Sequence, residues 1–558
     1  MKVLKEPEKK SGYATNFFKE DETLLHILKE KLPPAFFEYA VEKLTAYGAQ
    51  CAGPIDERAK YTDREGQPVL KQYDRYGEEV SEVWVNSGYK QTVKESYGTG
   101  MVGYVHKEIP ELGRKGNYIY SYAQGYLLSQ TEPGFYCPVT LSMATAYLLD
   151  HYGNEEIKKR FLPHVCATNA DEELYEGATF LTERQGGSDV GANVVRAVKE
   201  EGQYRLYGEK YFASNAGQCG VAMVLARKEG AKEGTRGLTL FAVPWKQDNG
   251  ELNHLRIRRL KDKLGVRAVP SGEVEFDGSV AYVVGDESKG FYYMMEALNL
   301  SRICNAVASS GIMKRAYEEA KQYAMAREAF GQKLIDLPMI QQTLSQLKAK
   351  LEVEVAAIFD LVELYDKVVA GEASDSAVIL HRLYIALLKK ESAENAIHFA
   401  HEAIELHGGN GYIEDFITPR LLRDAQVLTV WEGTANILGQ ELIRLVNKFS
   451  ADELFINQTF DRFALLAKGE QTALVEVKFA EVKQQLEQFA KAEPLVQQLQ
   501  AKPLMEKMAH LYESVIALEY AQKFKGKYEA IAELYLKQTW GNADGEETRV
   551  LELSKIVI

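Results

Sequence analysis

The spacing of apolar and polar residues divides the chain into a helical, a strand-rich and a second helical region. From about residue 20 to 177 the pattern predicts helices and loops, and TLSMATAYLLDHYG at 140–153 is the clearest apolar helix. Between 178 and 285 the runs become short and rich in β-branched and aromatic residues, with Gly, Asn and Lys in the turns. Because such runs are typical of antiparallel strands, we predict a small β-barrel or sandwich there.

Helical spacing returns near Phe291 and continues to about Lys448. Two series recur at steps of three and four, namely Ala306, Ser310, Met313, Tyr317, Ala320 and Ala324, and Ile340, Leu344, Leu347, Leu351, Val355, Ile358 and Val362. Long helices joined by short loops predict a four-helix bundle. A further helical segment begins at Ala451, and its expected apolar face comprises Leu495, Leu499, Leu504, Met508, Leu511 and Val515. We expect that segment to cover the bundle or to mediate subunit contact.

Together these regions predict an α+β fold that is mainly α. We expect an N-terminal helical domain over 1–177, a middle antiparallel β-barrel domain over 178–288, a C-terminal helical bundle over 289–448 and an additional helical domain over 449–558. A length of 558 residues agrees with several domains, because it is too great for one compact core.

Charge and cysteine content limit the function classes. A formal net charge of −13 argues against a general binder of nucleic acid or anionic membrane, since both need a clustered positive field. Five scattered cysteines fit neither a disulfide framework nor a CxxC zinc site, and they favour a reduced, cytoplasmic setting. We expect no metal site, no membrane-spanning helix and, because the first residues lack an apolar stretch, no signal peptide.

Three segments could carry chemistry. In GATFLTERQGGSDVGANVV (177–195) the glycines around Ser188 would let backbone N–H groups approach a ligand, although an ordinary turn has the same pattern. In EKYFASNAG (209–217) Phe212 and Ser214 end a strand, for which a plain strand edge is the simpler interpretation. Glu432 stands in Trp-Glu-Gly-Thr between an apolar run and a new helix, so desolvation would raise its pKa and suit a general base. On spacing alone, a helix start capped by Thr434 is as compatible.

In this order the segments resemble the acyl-CoA dehydrogenase family, over roughly residues 130 to 447. The residues that carry the resemblance are Thr182-Glu183 with Gly187-Ser188-Asp189, Phe212-Ala213-Ser214-Asn215, Arg327-Glu328-Ala329-Phe330-Gly331 with Gln341, Gly408 to Gly411 with Arg423-Asp424-Ala425, and Trp431-Glu432-Gly433-Thr434. Trp431, Ser214, the long N-terminal part and the C-terminal extension are most similar to the AidB-like branch.

The resemblance implies an FAD-dependent oxidation of an acyl-CoA thioester to the trans-2-enoyl-CoA, as in fatty acid β-oxidation. Glu432 would be the catalytic base that removes the α-proton, while a hydride leaves the β-carbon for flavin N5. The backbone N–H of Glu432 would help to polarise the thioester carbonyl. Electron-transferring flavoprotein is the implied electron acceptor.

The resemblance also implies binding residues and an oligomer, because one FAD would span two subunits of a homodimer or homotetramer. The implied cofactor-binding residues are Thr182, Ser188, Phe212, Ser214, Arg327, Phe330, Gln341, Gly408, Gly409, Thr434 and Asn436. The implied substrate-binding residues are Ser188, Arg302, Trp431 and Gly433. Three residues depart from the family pattern: Phe212 replaces a tryptophan, Asn299 replaces a frequent aspartate, and Trp431 replaces a tyrosine. The bulk of Trp431 favours a short, branched or aromatic acyl group.

Two other functions stay open on the sequence. One is an AidB-like flavoprotein with a stress-response or nucleic-acid-associated role and little dehydrogenase activity, and the other is an oxidase that uses oxygen as its acceptor. Residues 449–558 carry 13 lysines and arginines against 17 aspartates and glutamates, and only Lys523, Lys525 and Lys527 form a short positive run. We therefore expect no appreciable binding to duplex DNA.

Overall fold

The computed structural model describes residues 15–168, 172–541 and 547–558. The N-terminal helices are α1 (Glu22–Lys31), α2 (Pro34–Gln50), α3 (Asp56–Arg64), α4 (Ser87–Gly98), α5 (Tyr118–Ser129), α6 (Pro133–Tyr152) and α7 (Glu155–Val165). The apolar helix predicted at 140–153 is confirmed within α6. The expected absence of a signal peptide concerns residues 1–14, which lie outside the described residues.

Two short hairpins interrupt these helices, and the prediction of helices and loops alone missed them. They pair β1 (Val69–Tyr73) with β2 (Glu79–Trp84), and β3 (Glu108–Ile109) with β4 (Arg114–Lys115). The first hairpin has an alternating burial pattern in β2, which is typical of a strand with one face on the core.

The middle region forms a seven-stranded sheet. Its strands are β5 (Glu176–Phe180), β6 (Arg196–Glu200), β7 (Gln203–Ser214), β8 (Cys219–Lys228), β9 (Leu238–Pro244), β10 (Leu255–Leu260) and β11 (Ser271–Val283). The predicted barrel is confirmed, because β9 pairs with both β8 and β11 and so closes the ring β7–β6–β8–β9–β11. The expectation of purely antiparallel pairing is wrong, since β8 runs parallel to β5 and to β6. Other strands intervene along the chain between these partners, so the crossover that parallel pairing requires is present.

The helical region that follows contains α8 (Gly290–Ala326), a small hairpin of β12 (Glu328–Ala329) and β13 (Gln332–Lys333), α9 (Pro338–Val369), α10 (Asp375–His407), α11 (Thr418–Leu428) and α12 (Ala435–Phe449). The helical bundle is confirmed: α8, α9 and α10 pack against one another, and α11 and α12 pack on α10. The two predicted apolar series lie on α8 and α9, and all their members except the half-buried Ile340 are buried.

Capping side chains and glycine set several helix ends. Asn117 accepts a hydrogen bond from the backbone N–H of Tyr120 at the start of α5, and Ser374 accepts one from Ala377 at the start of α10. The helix α10 ends at His407, and the φ of the following Gly408 is +58°, a value that glycine adopts without a steric cost. The GGNG segment therefore ends a helix and opens the loop toward α11.

The C-terminal helices are α13 (Ala451–Phe463), α14 (Glu470–Ala490), α15 (Pro494–Phe524), α16 (Lys527–Trp540) and α17 (Glu547–Val557). They pack on α9, α10 and α12. At this junction the Nζ of Lys350 lies 2.9 Å from a carboxylate oxygen of Glu391 and 2.7 Å from one of Glu513. The helices α9, α10 and α15 are therefore joined by buried charge as well as by apolar contact.

The predicted apolar face of this C-terminal segment is only partly confirmed. Four of its six members, Leu504, Met508, Leu511 and Val515, are buried. Leu495 and Leu499 are 75% and 81% exposed, so their placement was wrong. The first turn of α15 instead directs Gln497 inward, where its Nε2 donates to the carbonyl of Phe489 at 2.9 Å.

Two further observations complete the fold. The five cysteines are free, and all except the half-buried Cys137 are buried. Within the described ranges, no helix combines the length and the apolar character needed to span a bilayer.

Candidate active site

Glu432 lies in the short loop between α11 and α12, in a backbone conformation that few side chains adopt. Its φ is +60°, and that of Gly433 is +105°. The left-handed region costs a non-glycine residue about 1–2 kcal/mol. Two buried side chains hold this turn: Arg302 donates from Nε to the carbonyl of Glu432 at 2.8 Å, and Lys389 donates from Nζ to the carbonyl of Gly433 at 2.7 Å.

The carboxylate of Glu432 is poorly solvated. Its Oε2 is buried and accepts no hydrogen bond within the described part of the chain. Burial raises the pKa of Glu432 above its usual value, while the nearby charges of Arg302 and Lys389 oppose this increase. The pKa of Glu432 is therefore closer to neutral pH than that of a free glutamate, which suits a general base.

Two thiols and a serine lie close to this carboxylate. The thiol of Cys137, near the start of α6, is adjacent to the hydroxyl of Ser214 and within electrostatic range of Glu432. Cys304 on α8 also lies near Glu432, and burial raises the pKa of Cys137 to about 12 and that of Cys304 to about 11. The end of β7, the start of α6, the middle of α8 and the loop before α12 therefore meet at one place.

The Thr-Glu segment is fixed beside the end of β7 by a buried ion pair. The backbone N–H of Tyr211 donates to the carbonyl of Thr182 at 2.9 Å, which places Thr182 next to Phe212. Glu183 accepts from the Nζ of Lys210 at 2.7 Å and from the backbone N–H of Val194 at 2.6 Å. Glu183 thus ties the two ends of the glycine-rich loop together.

This arrangement leaves the predicted ligand-facing groups accessible. Phe212 is 53% exposed within β7, although the next residue, Ala213, is buried, and Ser188 is exposed on the loop. A Cβ at Gly187 would stand 2.5 Å from the hydroxyl of Thr182, so any side chain there would displace that hydroxyl. The structure therefore places Thr182 against Tyr211, the neighbour of Phe212, and places Ser214 beside Cys137, which lies near Glu432.

Other predicted cofactor residues lie elsewhere and are exposed. Arg327 and Phe330 belong to the β12–β13 hairpin, where Phe330 is 93% exposed with a φ of +56°. Gln341 is half-buried near the start of α9, while Gly408, Gly409, Thr434 and Asn436 are exposed. No hydrogen bond, ion pair or ring contact links the hairpin residues to Glu432 or Phe212 among the residues that the structure describes.

Thr434 stands at the capping position of α12 but does not cap the helix with its side chain. Thr434 occupies the position before the first residue of α12, with φ −68° and ψ 166°, but its side chain makes no capping hydrogen bond. Its hydroxyl therefore stays available to a ligand. Trp431 and Gly433 are half-buried on either side of Glu432, whereas the predicted substrate residue Arg302 is 7% exposed and directed at the Glu432 backbone.

The sequence interpretation missed Lys389, which is 1% exposed. Within α10 it shares a helix face with Ile385, Ala393 and Ala396, all of which are buried. The sequence could have indicated Lys389, because it stands at helical spacing with apolar residues and a buried charge needs a specific partner.

Three regions of the chain match the models of known protein domains. Residues 288–446 match the C-terminal domain and residues 178–279 the middle domain of acyl-CoA dehydrogenases, and residues 9–172 match the N-terminal domain of the adaptive response protein AidB. AidB of Escherichia coli (strain K12) is 32% identical over 390 residues, which cover 68% of this chain and 69% of AidB.

Two further comparisons come from one nematode. Acyl-CoA dehydrogenase family member 11 of Caenorhabditis elegans is 31% identical over 442 residues, 77% of this chain and 70% of that protein. The crystal structure of Caenorhabditis elegans ACDH-11 in complex with C11-CoA has a TM-score of 0.87 at 25% identity, and the match covers 98% of this chain and 95% of that one. The chain therefore belongs to the acyl-CoA dehydrogenase family, with an N-terminal domain of the AidB type.

Proposed function

We propose that this protein is an FAD-dependent dehydrogenase that converts an acyl-CoA thioester into the trans-2-enoyl-CoA, with Glu432 as the base. The observation that carries the proposal is the buried Oε2 of Glu432, which has a raised pKa and no hydrogen-bond partner in the described structure. A buried polar atom without a partner is rare in proteins and costs free energy. An acidic C–H of a bound substrate would give it one.

Glu432 contributes two groups to this reaction. Its carboxylate removes the α-proton of the thioester, the pair of electrons of that C–H bond forms the new double bond, and a hydride leaves the β-carbon. Its backbone N–H makes no hydrogen bond in the regions described and is therefore free to donate to the thioester carbonyl. Such a donor stabilises the negative charge that develops on that oxygen. Arg302 and Lys389 hold the turn that presents both groups.

The residues near β7 fit a flavin. Phe212 offers an exposed aromatic face near the end of β7, and Thr182 is bonded to its neighbour Tyr211. The half-buried hydroxyl of Ser214 lies beside the thiol of Cys137, which is near Glu432. Bound FAD supplies the two-electron acceptor for the hydride. We assign Thr182, Phe212 and Ser214 to the flavin ring and Ser188 to the junction between cofactor and substrate.

The exposed hairpin supports a shared cofactor site. Phe330 is 93% exposed in a left-handed conformation, and Met339 nearby is 80% exposed. Exposed apolar side chains of this size favour a partner surface. We propose that Arg327, Phe330, Gln341, Gly408, Gly409, Thr434 and Asn436 bind the remainder of an FAD that a second copy of the chain shares. The electrons that this FAD accepts from the substrate would pass to electron-transferring flavoprotein.

The wall next to Glu432 favours a small acyl group. Tyr136, Thr140 and Tyr122 surround Cys304, which itself lies near Glu432. The two tyrosines are at most 2% exposed, so the wall leaves little accessible space behind it. A Cβ at Gly125 would stand 2.2 Å from the hydroxyl of Tyr136, which shows how closely this ring packs against α5. We propose a short, branched or aromatic acyl group as the substrate class.

Anaerobic titration of the purified holoenzyme with a panel of acyl-CoA thioesters tests the proposal. One class of thioester should bleach the flavin absorbance, and Glu432→Gln should abolish bleaching. A matched control is Glu441→Gln, since Glu441 on α12 is also a partly buried carboxyl group with a raised pKa but is bound to Arg382. Bleaching that persists in Glu432→Gln for every active thioester would contradict the assignment of the base.

A further inference from the structure

The side-chain amine of Lys389 is buried and has no ion-pair partner in the part of the chain that the structure describes. It is 1% exposed, and its Nζ donates to the carbonyl of Gly433 at 2.7 Å. No carboxylate oxygen lies within 4.0 Å of it in the ranges that the structure describes. Fully buried lysines are almost always paired, so a lysine in this position indicates a specific demand for its charge.

Lys389 and Arg302 hold two consecutive carbonyl groups from different helices. Arg302 on α8 binds the carbonyl of Glu432, and Lys389 on α10 binds that of Gly433. Glu432 has a positive φ, which a non-glycine residue adopts only when its surroundings fix it, whereas Gly433 adopts its positive φ without a steric cost. Because these contacts fix the turn on both sides, they also fix where the Glu432 carboxylate and backbone N–H lie.

The charges that face this site favour an ionised Glu432. From α8 it faces Arg302 and Cys304, from α6 Cys137, and from α10 Lys389. Of these groups only Arg302 and Lys389 are cationic. Lys389 itself also senses Glu394 on its own helix.

We propose that Lys389 is a positioning residue for the reaction, which holds the left-handed turn at Glu432 and Gly433 and keeps the Glu432 carboxylate available as a base. The catalytic role of Lys389 rests on the proposed function, whereas its hold on the turn and its effect on the Glu432 pKa do not. Burial lowers the pKa of Lys389 to about 7, and the attraction of Glu432 opposes that decrease. The cation and the carboxylate therefore stabilise each other's charged form.

Substitution of Lys389 by methionine, arginine and glutamine tests this inference. Without the cation, the pKa of Glu432 should rise by about one unit in Lys389→Met, since a neighbouring opposite charge lowers a carboxyl pKa by about 1–3 units. Lys389→Arg should retain the wild-type pKa. Lys389→Gln keeps a donor for the Gly433 carbonyl but no charge, so it should show the pKa increase with less loss of kcat.

A matched control is Lys390→Met. Lys390 is the next residue, is 6% exposed and binds Glu394 at 2.8 Å, so it is comparably buried but directed away from Gly433. It should leave the pKa of Glu432 unchanged. Infrared difference titration with ¹³C-labelled glutamate, with the band assigned through Glu432→Gln, measures that pKa without turnover.

Two outcomes decide between positioning and packing. A rise in the Glu432 pKa in Lys389→Met and Lys389→Gln, with a parallel shift of the acidic limb of flavin reduction and a decrease in kcat larger than any change in KM, supports the inference. An unchanged Glu432 pKa, with a loss of thermal stability equal to that of Lys390→Met, would overturn it. If the pKa rises but no thioester reduces the wild-type holoenzyme, the proposed function fails while the charge coupling stands.

Discussion

The guanidinium group of Arg302 donates to the carbonyl oxygen of Glu432 at 2.8 Å and, from Nη1, to the amide oxygen of Asn299 at 3.2 Å. Because Asn299 is a neutral amide, it adds no counter-charge for Arg302. Burial lowers the pKa of Arg302, whereas Glu432 raises it. The positive charge of Arg302 therefore acts mainly on Glu432.

Asn299→Asp should raise the pH at which Glu432 becomes active. The new carboxylate would pair with Arg302 at nearly the same geometry and reduce its attraction for Glu432, so the pKa of Glu432 should increase by about one unit. The pH dependence of flavin reduction under single-turnover conditions measures this as a shift of the acidic limb. A limb that stays fixed or moves to lower pH would show that Arg302 does not tune the base.

Glu432→Gln should stabilise the fold at alkaline pH and not at acid pH. Folding raises the pKa of Glu432, so the wild type takes up a proton on folding, and the associated stability is present below the unfolded pKa of 4.5 and lost as pH rises through the folded pKa. Glutamine resembles the protonated form at every pH. The variant should gain about 1.4 kcal/mol at pH 8 for each unit by which folding raises that pKa.

Denaturant unfolding of both proteins at pH 4 and pH 8 checks this expectation. The two free energies of unfolding should agree near pH 4 and diverge at pH 8. A variant less stable than the wild type at pH 8 would mean that Arg302 and Lys389 stabilise the ionised carboxylate more than burial destabilises it.

The ion pair between Lys210 and Glu183 should be a strong anchor of the glycine-rich loop. Both side chains are at most 2% exposed, and burial lowers the pKa of Lys210 to about 8. Lys210→Met leaves the Glu183 carboxylate buried beside two backbone N–H groups and should cost about 3–5 kcal/mol. Because Glu183→Gln removes the unpaired charge but keeps an acceptor, the double variant should recover part of this loss, as a double-mutant cycle would measure.

The periodicity of the sequence predicted the large elements but not the site's supports. The barrel, α6 and the series on α8 and α9 follow from apolar spacing, which directly reflects burial. The hairpin of β1 and β2 was missed because its strands are short, and their exposed residues Tyr73 and Trp84 interrupt the apolar pattern. Lys389 was missed because its partner is a backbone carbonyl 44 residues away, and a carbonyl group leaves no trace in the sequence.

The same limit explains the error at the start of α15. Leu495 and Leu499 share a helix face with correct spacing, but both are exposed, whereas Gln497 meets Asn447 of α12. Spacing predicts which residues lie together on a helix. It does not predict where the next helix stands.

Lys350→Met should weaken the docking of the C-terminal helices. The Nζ of Lys350 lies within 3.2 Å of carboxylate oxygens of Glu354, Glu391 and Glu513. Among the described residues of this junction, no other cation lies that close to all three. Its removal leaves Glu354 and Glu513 without a cationic partner among the described residues, which should cost about 3–5 kcal/mol. Limited proteolysis should then cut between α12 and α13 faster than in the wild type, and an unchanged cleavage rate would contradict a stabilising role.

The C-terminal region should not bind duplex DNA at physiological salt. The short run of Lys523, Lys525 and Lys527 is its one cluster of positive charge in sequence, and each of these lysines has a carboxylate partner. Those partners are Glu30, Glu529 and Glu22, at 2.5, 3.8 and 3.5 Å. Phosphate contacts would have to displace these partners, and the release of counterions that drives DNA binding would be small.

A gel-shift titration with a duplex at low and at physiological salt measures this directly. We expect no shift of the duplex at physiological salt. Replacement of Lys523, Lys525 and Lys527 by glutamine should leave the mobility of the duplex the same as with the wild type. A salt-sensitive shift of the wild type that this triple variant abolishes would show that the lysines leave their carboxylates for phosphate. It would then give the C-terminal helices a binding role beyond packing on the bundle.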